Sequence, residues 1–335
     1  GGGKSLTYQF SGLLLPGMTI VINPLISLMS DQVENLKNSG FTMLDAIFSL
    51  QSQVEKDRVL EKMSAGLLSF IFLSPERLQG ETFRNQLLAV SKKIPISLAV
   101  IDEAHCVSEW GHDFRPSYLH LPTNITNYCS DDRHNKVTLV GLTGTASFAV
   151  LTDIQIEMKI TDEDAIILPK SFDRKELTFD VISTRSRAKS SQLKAIKGQI
   201  PIRLRQNTQS FYDLKGSKTN CGIIFCPHTN GSLGVTDVAS LMNHQNYYSG
   251  KTPKKFPGND DEYSQYKQIV QSRFKKNKIL EIISTNSFGM GFDKPNIRYT
   301  IHYATPNSVE AFYQEAGRAC RNGEPGYAYC SILYS

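Results

Sequence analysis

Short, almost continuously apolar runs alternate with longer stretches of helical periodicity along most of this chain. Strands that are apolar on both sides belong to parallel sheets with helices on both faces, whereas half-exposed strands alternate polar and apolar residues. The alternation therefore predicts an α/β fold, with helices over 27–39, 51–65 and 80–92. The predicted strands are Met18–Ile22, Ser69–Leu73, Ser97–Ile101, Val137–Leu142, Cys221–Cys226, Leu280–Thr285, Arg298–Tyr303 and Gly326–Leu333.

Length and composition indicate two globular domains. A chain of 335 residues exceeds the roughly 100–200 residues of one domain, and the pattern pauses near Leu168–Lys175. We predict one domain over residues 1–168 and a second over 169–335, each a doubly wound, mostly parallel sheet. A content of 40% hydrophobic and 21% charged residues excludes a disordered or collagen-like chain. No run approaches 18 consecutive apolar residues, so neither a transmembrane helix nor a membrane partner is expected.

A basic segment interrupts the second domain. Residues 183–220 contain nine basic residues and one acidic residue, a net charge of +8 in a chain whose total is +5. Such a segment is either a solvated surface insertion or an electrostatic contact with nucleic acid, and the sequence leaves both open. In either case we expect an insertion that projects from the domain surface. Its basic residues are Arg185, Arg187, Lys189, Lys194, Lys197, Arg203, Arg205, Lys215 and Lys218.

The first five residues form a phosphate-binding pattern. Gly1, Gly2 and Gly3 precede Lys4 and Ser5, and an apolar helical stretch follows. Glycines let backbone N–H groups approach phosphate oxygens, and a helix N-terminus adds a favourable dipole. In this pattern the lysine reaches the β- and γ-phosphates and the serine hydroxyl ligates magnesium. Because the chain begins inside the motif, we expect it to be a piece of a longer protein.

An acidic pair follows the predicted strand that ends at Ile101. Asp102 and Glu103 would stand at the carboxyl edge of the sheet, where open α/β sheets bind their ligands. Asp102 is suited to hold a magnesium ion, and Glu103 to orient and deprotonate an attacking water. Together with the glycine motif, this pair predicts nucleotide hydrolysis.

A helix near the C-terminus carries a polar stripe. We expect Asn307 to cap it, with Glu310 as the partner three residues later. Gln314, Arg318 and Arg321 then recur at i, i+4 and i+7 on one face. This stripe is suited to sense a γ-phosphate and to supply an arginine finger.

These motifs, in this order, resemble the helicase core of the RecQ family of DNA helicases. The most specific resemblance is the stretch Asp102–Pro116, DEAHCVSEWGHDFRP, which contains a DEAH box and an aromatic-rich loop. Asn23, Gly144 and Cys320 depart from the family, which usually has serine, alanine and glycine there. Further resemblances are the segments 23–29, 74–78, 141–146, 287–295 and 314–321.

The resemblance implies two RecA-like domains that clamp ATP and Mg²⁺ and move 3′-to-5′ along single-stranded DNA while unwinding duplex. It places Asp293 in the nucleotide site, implies a bacterial cytoplasm or nucleoid or a eukaryotic nucleus, and implies accessory domains outside this chain. Six cysteines without a C-x-x-C pair favour reduced thiols over a zinc site or disulfides, which agrees with those compartments.

Nucleic-acid contacts follow from the same resemblance. An aromatic loop just beyond the acidic pair is suited to stack on unpaired bases, and backbone contacts elsewhere would hold phosphates without reading sequence. The predicted loop contacts are Trp110, His112, Phe114 and Arg115, and the predicted backbone contacts are Asn23, Ser27, Ser74, Arg77, Thr143 and Thr285.

Two alternatives remain. One is an RNA helicase of the DEAD-box kind, against which His105, Trp110 and Gln314 argue. The other is a degenerate motor that binds nucleic acid without hydrolysing nucleotide.

Overall fold

The computed structural model describes residues 3–48, 51–108, 115–130, 136–144, 146–168, 174–288, 294–320 and 328–334. It consists of two compact units, unit 1 over Gly1–Leu168 and unit 2 over Pro169–Ser335. Each unit is a parallel sheet between two layers of helices. The predicted fold class, two tandem RecA-like domains, is confirmed.

Unit 1 has a five-stranded sheet in which every pair of neighbours is parallel. The strands are β1 (Met18–Ile22), β2 (Leu44–Ile47), β3 (Phe70–Leu73), β4 (Ile96–Asp102) and β5 (Thr138–Leu142). The helices are α1 (Lys4–Leu14), α2 (Ile26–Asn38), α3 (Gln53–Ser64), α4 (Glu81–Ser91), α5 (Leu121–Cys129) and α6 (Phe148–Met158).

The strand order in unit 1 is β2-β3-β1-β4-β5, which sets β1 and β4 side by side in the centre. All five residues of β1 are buried, because apolar side chains cover both faces of the sheet. Tyr8 of α1 and Met29 of α2 pack with Val21 and Val100 on one face. Helices α3 to α6 cover the other face. The carboxyl ends of β1, β4 and β5 therefore meet at one edge.

Unit 2 has a six-stranded sheet in the order β6-β11-β10-β7-β9-β8, again parallel throughout. The strands are β6 (Leu177–Ser183), β7 (Cys221–Phe225), β8 (Tyr247–Tyr248), β9 (Glu281–Ser284), β10 (Ile297–His302) and β11 (Ala328–Tyr334). The helices are α7 (Lys189–Arg203), α8 (Val235–Leu241), α9 (Asp260–Lys275) and α10 (Val309–Ala316).

The predicted strands all exist, with ends that differ by two residues at most. Three strands were not predicted from the sequence: β2, β6 and β8. β2 and β8 are only four and two residues long, which offers too little periodicity for recognition. β6 lies at the edge of its sheet and is mostly exposed, so it lacks the continuous apolar run of the predicted strands. Among the described residues, no helix is both long enough and apolar enough to span a membrane.

The expectation that residues 183–220 form a projecting insertion is wrong. Fifteen of these residues form α7, whose Leu193, Ile196 and Ile200 are fully buried in the core of unit 2. Gly198 and Pro201 lie within the helix. Because both residue types disfavour helix interiors, the sequence pattern does not predict a helix there. The basic side chains of this segment therefore belong to a structural helix and to the loop that follows it.

Candidate functional site

The acidic pair lies at the carboxyl end of β4. Asp102 is the last residue of the strand and is only 5% exposed. Glu103 has left-handed backbone angles, φ 50° and ψ 49°, which non-glycine residues adopt at a cost and mainly in turns or functional sites. Its N–H donates to Asp102 Oδ1 at 3.0 Å. This turn directs the two carboxylates differently, one into the sheet edge and one toward α1.

Buried hydrogen bonds hold Asp102 in place. Asn23, which follows β1, donates from Nδ2 to Asp102 Oδ2 at 2.8 Å, and Asn23 Oδ1 accepts from Leu25 N–H at 3.0 Å. Tyr118 OH donates to the carbonyl oxygen of Asp102 at 2.9 Å. Asn23 is completely buried, and its side chain faces Asp102 at the neighbouring strand end. The predicted contact of Asn23 with DNA stays a prediction.

Lys4 and Ser5 begin α1, close to the acidic pair. Gly3 precedes the helix with φ 72°, a left-handed conformation in which its missing side chain matters. Lys4 Nζ lies 3.7 Å from Glu103 Oε2, and both side chains are about one-third exposed. A Cβ atom at Gly144 would lie 3.3 Å from the Lys4 ammonium. Gly1 and Gly2, also predicted to bind phosphate, lie outside the described residues.

Burial and a second carboxylate determine the electrostatics of this site. Burial, together with the nearby charge of Glu103, raises the pKa of Asp102 from 3.8 to about 6, although Lys4 opposes the rise. A carboxylate held this way carries a negative charge that its surroundings compensate poorly. Oxygen ligands of this type are those that Mg²⁺ prefers. Across the part of the chain described here, no group of three or more His, Cys, Asp or Glu side chains could hold a metal ion.

His105 connects the acidic pair to the segment after β5. Its Nδ1 lies 3.0 Å from Thr143 Oγ1 and 3.4 Å from Glu103 Oε2. The His105 ring is almost fully buried, so these contacts are shielded from water. A displacement of Thr143 would therefore act on Glu103 through His105.

The predicted nucleic-acid residues of unit 1 are mostly held by the protein. Arg115 Nη1 donates to the carbonyl oxygen of Pro24 at 2.8 Å, which joins the end of the aromatic loop to the segment after β1. Ser74 is buried, and the half-buried Arg77 lies over the Phe83 ring at 4.8 Å. Ser27 lies at the start of α2. The aromatic residues Trp110, His112 and Phe114 lie outside the described residues.

In unit 2 the predicted polar stripe does not lie on one helix. Helix α10 ends at Ala316, so Gln314 is helical and Arg318 is not. The N-cap is Ser308, whose Oγ accepts from Ala311 N–H at 3.0 Å, and not Asn307 as predicted. Serine and asparagine are almost equally good caps, so the residue types could not distinguish the two.

Of the remaining predicted site residues of unit 2, the structure describes Thr285. Thr285 follows β9 and is mostly buried, with its Oγ1 2.7 Å from Ser287 Oγ. Asp293 and Arg321 lie outside the described residues.

Sequence reasoning missed three residues that shape the site. Tyr118 supports Asp102, as described above. Gln32 Nε2 donates to Ser5 Oγ at 3.4 Å, and Tyr8 OH donates to Gln32 Oε1 at 2.8 Å. Tyr8 stands three residues after Ser5 on α1, a helical neighbour. No local signal marks Gln32 or Tyr118, because their roles arise from contacts between distant segments.

Comparison with known proteins places these sites in a family context. Residues 1–154 match the family model for DEAD/DEAH box helicases, and residues 203–323 match that for the helicase conserved C-terminal domain. The chain is 35% identical over 97% of its length to the probable ATP-dependent DNA helicase RecS of Bacillus subtilis, of which it covers 58%. It is 33% identical over its full length to ATP-dependent DNA helicase RecQ of the same organism, of which it covers 50%.

A solved structure shares the fold. Mycobacterium smegmatis helicase Lhr, bound to single-stranded DNA and AMP-PNP, aligns with 100% of this chain and 42% of its own at a TM-score of 0.64 and 15% identity. At that identity the likeness concerns the fold alone. The chain spans about half the length of the two curated relatives named above.

Proposed function

Because this chain belongs to the RecQ family of helicases, we propose that it is the motor core of an ATP-dependent DNA helicase. It couples ATP hydrolysis to 3′-to-5′ movement along single-stranded DNA and to duplex unwinding. The observation that carries the proposal is the site of unit 1, where Lys4, Asp102 and Glu103 converge from α1 and β4.

Each residue of this site has a separate role in hydrolysis. Lys4 binds the β- and γ-phosphates, and Ser5 and Asp102 hold Mg²⁺, which neutralises phosphate charge when bound. Glu103 orients the attacking water and accepts its proton. Without nucleotide, Glu103 pairs with Lys4 at 3.7 Å. Phosphates that attract Lys4 therefore also free the Glu103 carboxylate for its role as a base.

Contacts on both sides of Asp102 and Glu103 support coupling to DNA. Asn23 and Arg115 join the acidic box to the segment after β1, which resembles a DNA-backbone motif of the family. His105 joins it to Thr143 on the other side. DNA that shifts either segment changes the surroundings of Glu103, so hydrolysis responds to DNA.

The second unit completes the reaction in this proposal. Gln314, Arg318 and Arg321 sense the γ-phosphate and supply positive charge to the transition state. Such arginine fingers accelerate phosphoryl transfer by roughly 10³–10⁵.

Steady-state ATP turnover, measured without nucleic acid, with single-stranded DNA and with RNA of equal length, tests the proposal. We expect stimulation by DNA well above that by RNA, and displacement of duplexes with a 3′ tail in preference to those with a 5′ tail. In Glu103→Gln, hydrolysis should fall at least a hundredfold while ATP and DNA still bind, because the amide keeps the shape but cannot accept the proton. An ATP turnover rate that does not change when DNA is added would overturn the proposal. So would a turnover rate of Glu103→Gln close to that of wild type.

A further inference from the structure

Two amide side chains from one continuous segment contact the two residues to which the proposed function gives Mg²⁺. The segment consists of β1, the residues that follow it, and α2. Asn23, just after β1, donates from Nδ2 to Asp102 Oδ2 at 2.8 Å. Gln32, further along in α2, donates from Nε2 to Ser5 Oγ at 3.4 Å. One segment therefore reaches Asp102 in β4 through one amide and Ser5 in α1 through the other.

Tyr8 fixes the orientation of the Gln32 amide. The Tyr8 side chain is only 2% exposed and packs with Val21 and Met29, so its hydroxyl needs a partner inside the protein. That hydroxyl donates to Gln32 Oε1 at 2.8 Å. Because the amide oxygen is taken by Tyr8, the amide nitrogen is the atom that faces Ser5.

The first turn of α1 needs a contact of this kind. No side chain of the described residues caps α1, and Gly3, which precedes the helix, has a φ of 72°. In the proposed function, the contact of Lys4 with Glu103 gives way when phosphates attract Lys4. The contact between Gln32 and Ser5 involves no charge that phosphates would attract, so it still holds Ser5 at that point.

The chemistry of the Ser5 hydroxyl allows it to accept a hydrogen bond and bind a cation at the same time. A serine oxygen has two lone pairs and one proton. One lone pair accepts from Gln32, and the other is left for a cation. A ligand whose side chain is already fixed loses less freedom when the cation binds. Residues that orient a metal ligand in this way change metal affinity by roughly 10–100-fold.

We propose that Gln32, oriented by Tyr8, is a positioning residue that holds the Ser5 hydroxyl for Mg²⁺. The inference rests on the proposed function for the metal site itself. Together with the contact of Asn23 with Asp102, it makes the segment from β1 to α2 the common support of both proposed metal ligands.

Binding of a fluorescent, non-hydrolysable ATP analogue over a range of Mg²⁺ concentrations tests this role. The test variant is Gln32→Ala, and the matched control is Asn35→Ala, which removes an exposed amide from the same helix. Alanine favours helices, so neither substitution should unfold α2. In Gln32→Ala we expect the Mg²⁺ concentration for half-maximal binding to rise roughly tenfold or more. The affinity for the analogue in EDTA should not change, and the control should behave as wild type.

An unchanged Mg²⁺ requirement in Gln32→Ala, while wild type binds the analogue better with Mg²⁺, would overturn the inference and leave the proposed function. An equal loss of analogue affinity with and without Mg²⁺ would also overturn the inference, because Gln32 would then act on the fold or on phosphate. So would an equal shift in Asn35→Ala, since the effect would then belong to α2 in general. If wild type binds the analogue no better with Mg²⁺ than in EDTA, the proposed metal site fails and the inference fails with it.

Tyr8→Phe separates positioning from packing. Phenylalanine keeps the buried ring and removes only the hydroxyl, so the Gln32 amide loses its orientation. We expect the Mg²⁺ requirement to rise in the same direction as in Gln32→Ala, but by less. A lower melting temperature with an unchanged Mg²⁺ requirement would mean that Tyr8 and Gln32 only join α1 to α2, and would overturn the inference.

ATP turnover at increasing Mg²⁺ gives a second measurement of the same role. Raised Mg²⁺ should restore turnover in Gln32→Ala, because the site is then filled despite its lower affinity. It should not restore turnover in Glu103→Gln, because Glu103 acts on the attacking water. Turnover of Gln32→Ala that stays low at saturating Mg²⁺ would contradict the positioning role.

Discussion

The titration of Asp102 offers a quantitative test of the site in unit 1. The pKa of this carboxyl is raised from 3.8 to about 6, first by burial and then by the charge of Glu103. Because the folded protein holds the proton more tightly than the unfolded chain, protonated Asp102 stabilises unit 1. That stabilisation is complete below pH 3.8 and is lost as the pH rises through 6. A difference of about 2 in pKa corresponds to about 3 kcal/mol.

The perturbation is Asp102→Asn, which is neutral at every pH. The substitution also changes hydrogen bonds to Asn23 and to the Glu103 N–H, but that effect does not depend on pH. The informative quantity is therefore the difference in unfolding free energy between wild type and variant as the pH changes. From pH 4.5 to 7.5, the unfolding free energy of wild type should fall by about 2 kcal/mol relative to that of Asp102→Asn. The remainder of the total of about 3 kcal/mol is lost below pH 4.5.

Urea unfolding at a series of pH values measures this difference. The chain has one tryptophan, Trp110, which falls in the sequence range of unit 1, so its fluorescence is the signal to follow. Glu103→Gln should shrink the pH effect, because it removes the neighbouring charge. Added Mg²⁺ with a non-hydrolysable ATP analogue should abolish this pH dependence in wild type. A wild-type pH profile parallel to that of Asp102→Asn would refute the reasoning.

Two further predictions concern the second unit. Burial alone would raise the pKa of Glu281, but hydrogen bonds from His244 and Tyr299 and the charge of Lys197 lower it from 4.5 to about 2. Glu281→Gln should therefore destabilise unit 2 by about 3 kcal/mol at pH 7, with the difference from wild type vanishing as the pH falls from 4.5 towards 2. Hydrogen exchange of the β9 and β10 amides measures this, and a cost below about 1 kcal/mol at pH 7 would contradict it. Arg321→Ala should reduce ATP turnover by roughly 10³ or more while nucleotide still binds, and turnover within about threefold of wild type would exclude Arg321 as the arginine finger.

The local pattern of the chain was sufficient for the fold class and for the placement of the acidic pair. Each predicted strand is an apolar run bounded by polar or turn residues, and burial on both faces of a parallel sheet requires that pattern. A strand that ends in Asp102 and Glu103 necessarily presents them at the carboxyl edge, wherever the strand stands in the sheet. The same reasoning required no knowledge of which strands are neighbours.

The order of the strands decided what lies beside that pair. β1 pairs with β4, which brings Asn23 to Asp102 across 79 residues of sequence and buries the Asn23 side chain there. Lys4 and Glu103 likewise meet only because α1 begins near the end of β4.

The basic segment shows a similar limit in unit 2. Gly198, Pro201 and many charges conceal a helix there, and only its packing on the sheet shows that α7 is structural. The same packing buries the stem of Lys189, with its Nζ over the Tyr303 ring, and pairs Lys197 with Glu281. Charge and periodicity are properties of a segment and are legible in its sequence. Burial and pairing are properties of two segments brought together, so the tertiary structure alone decides them.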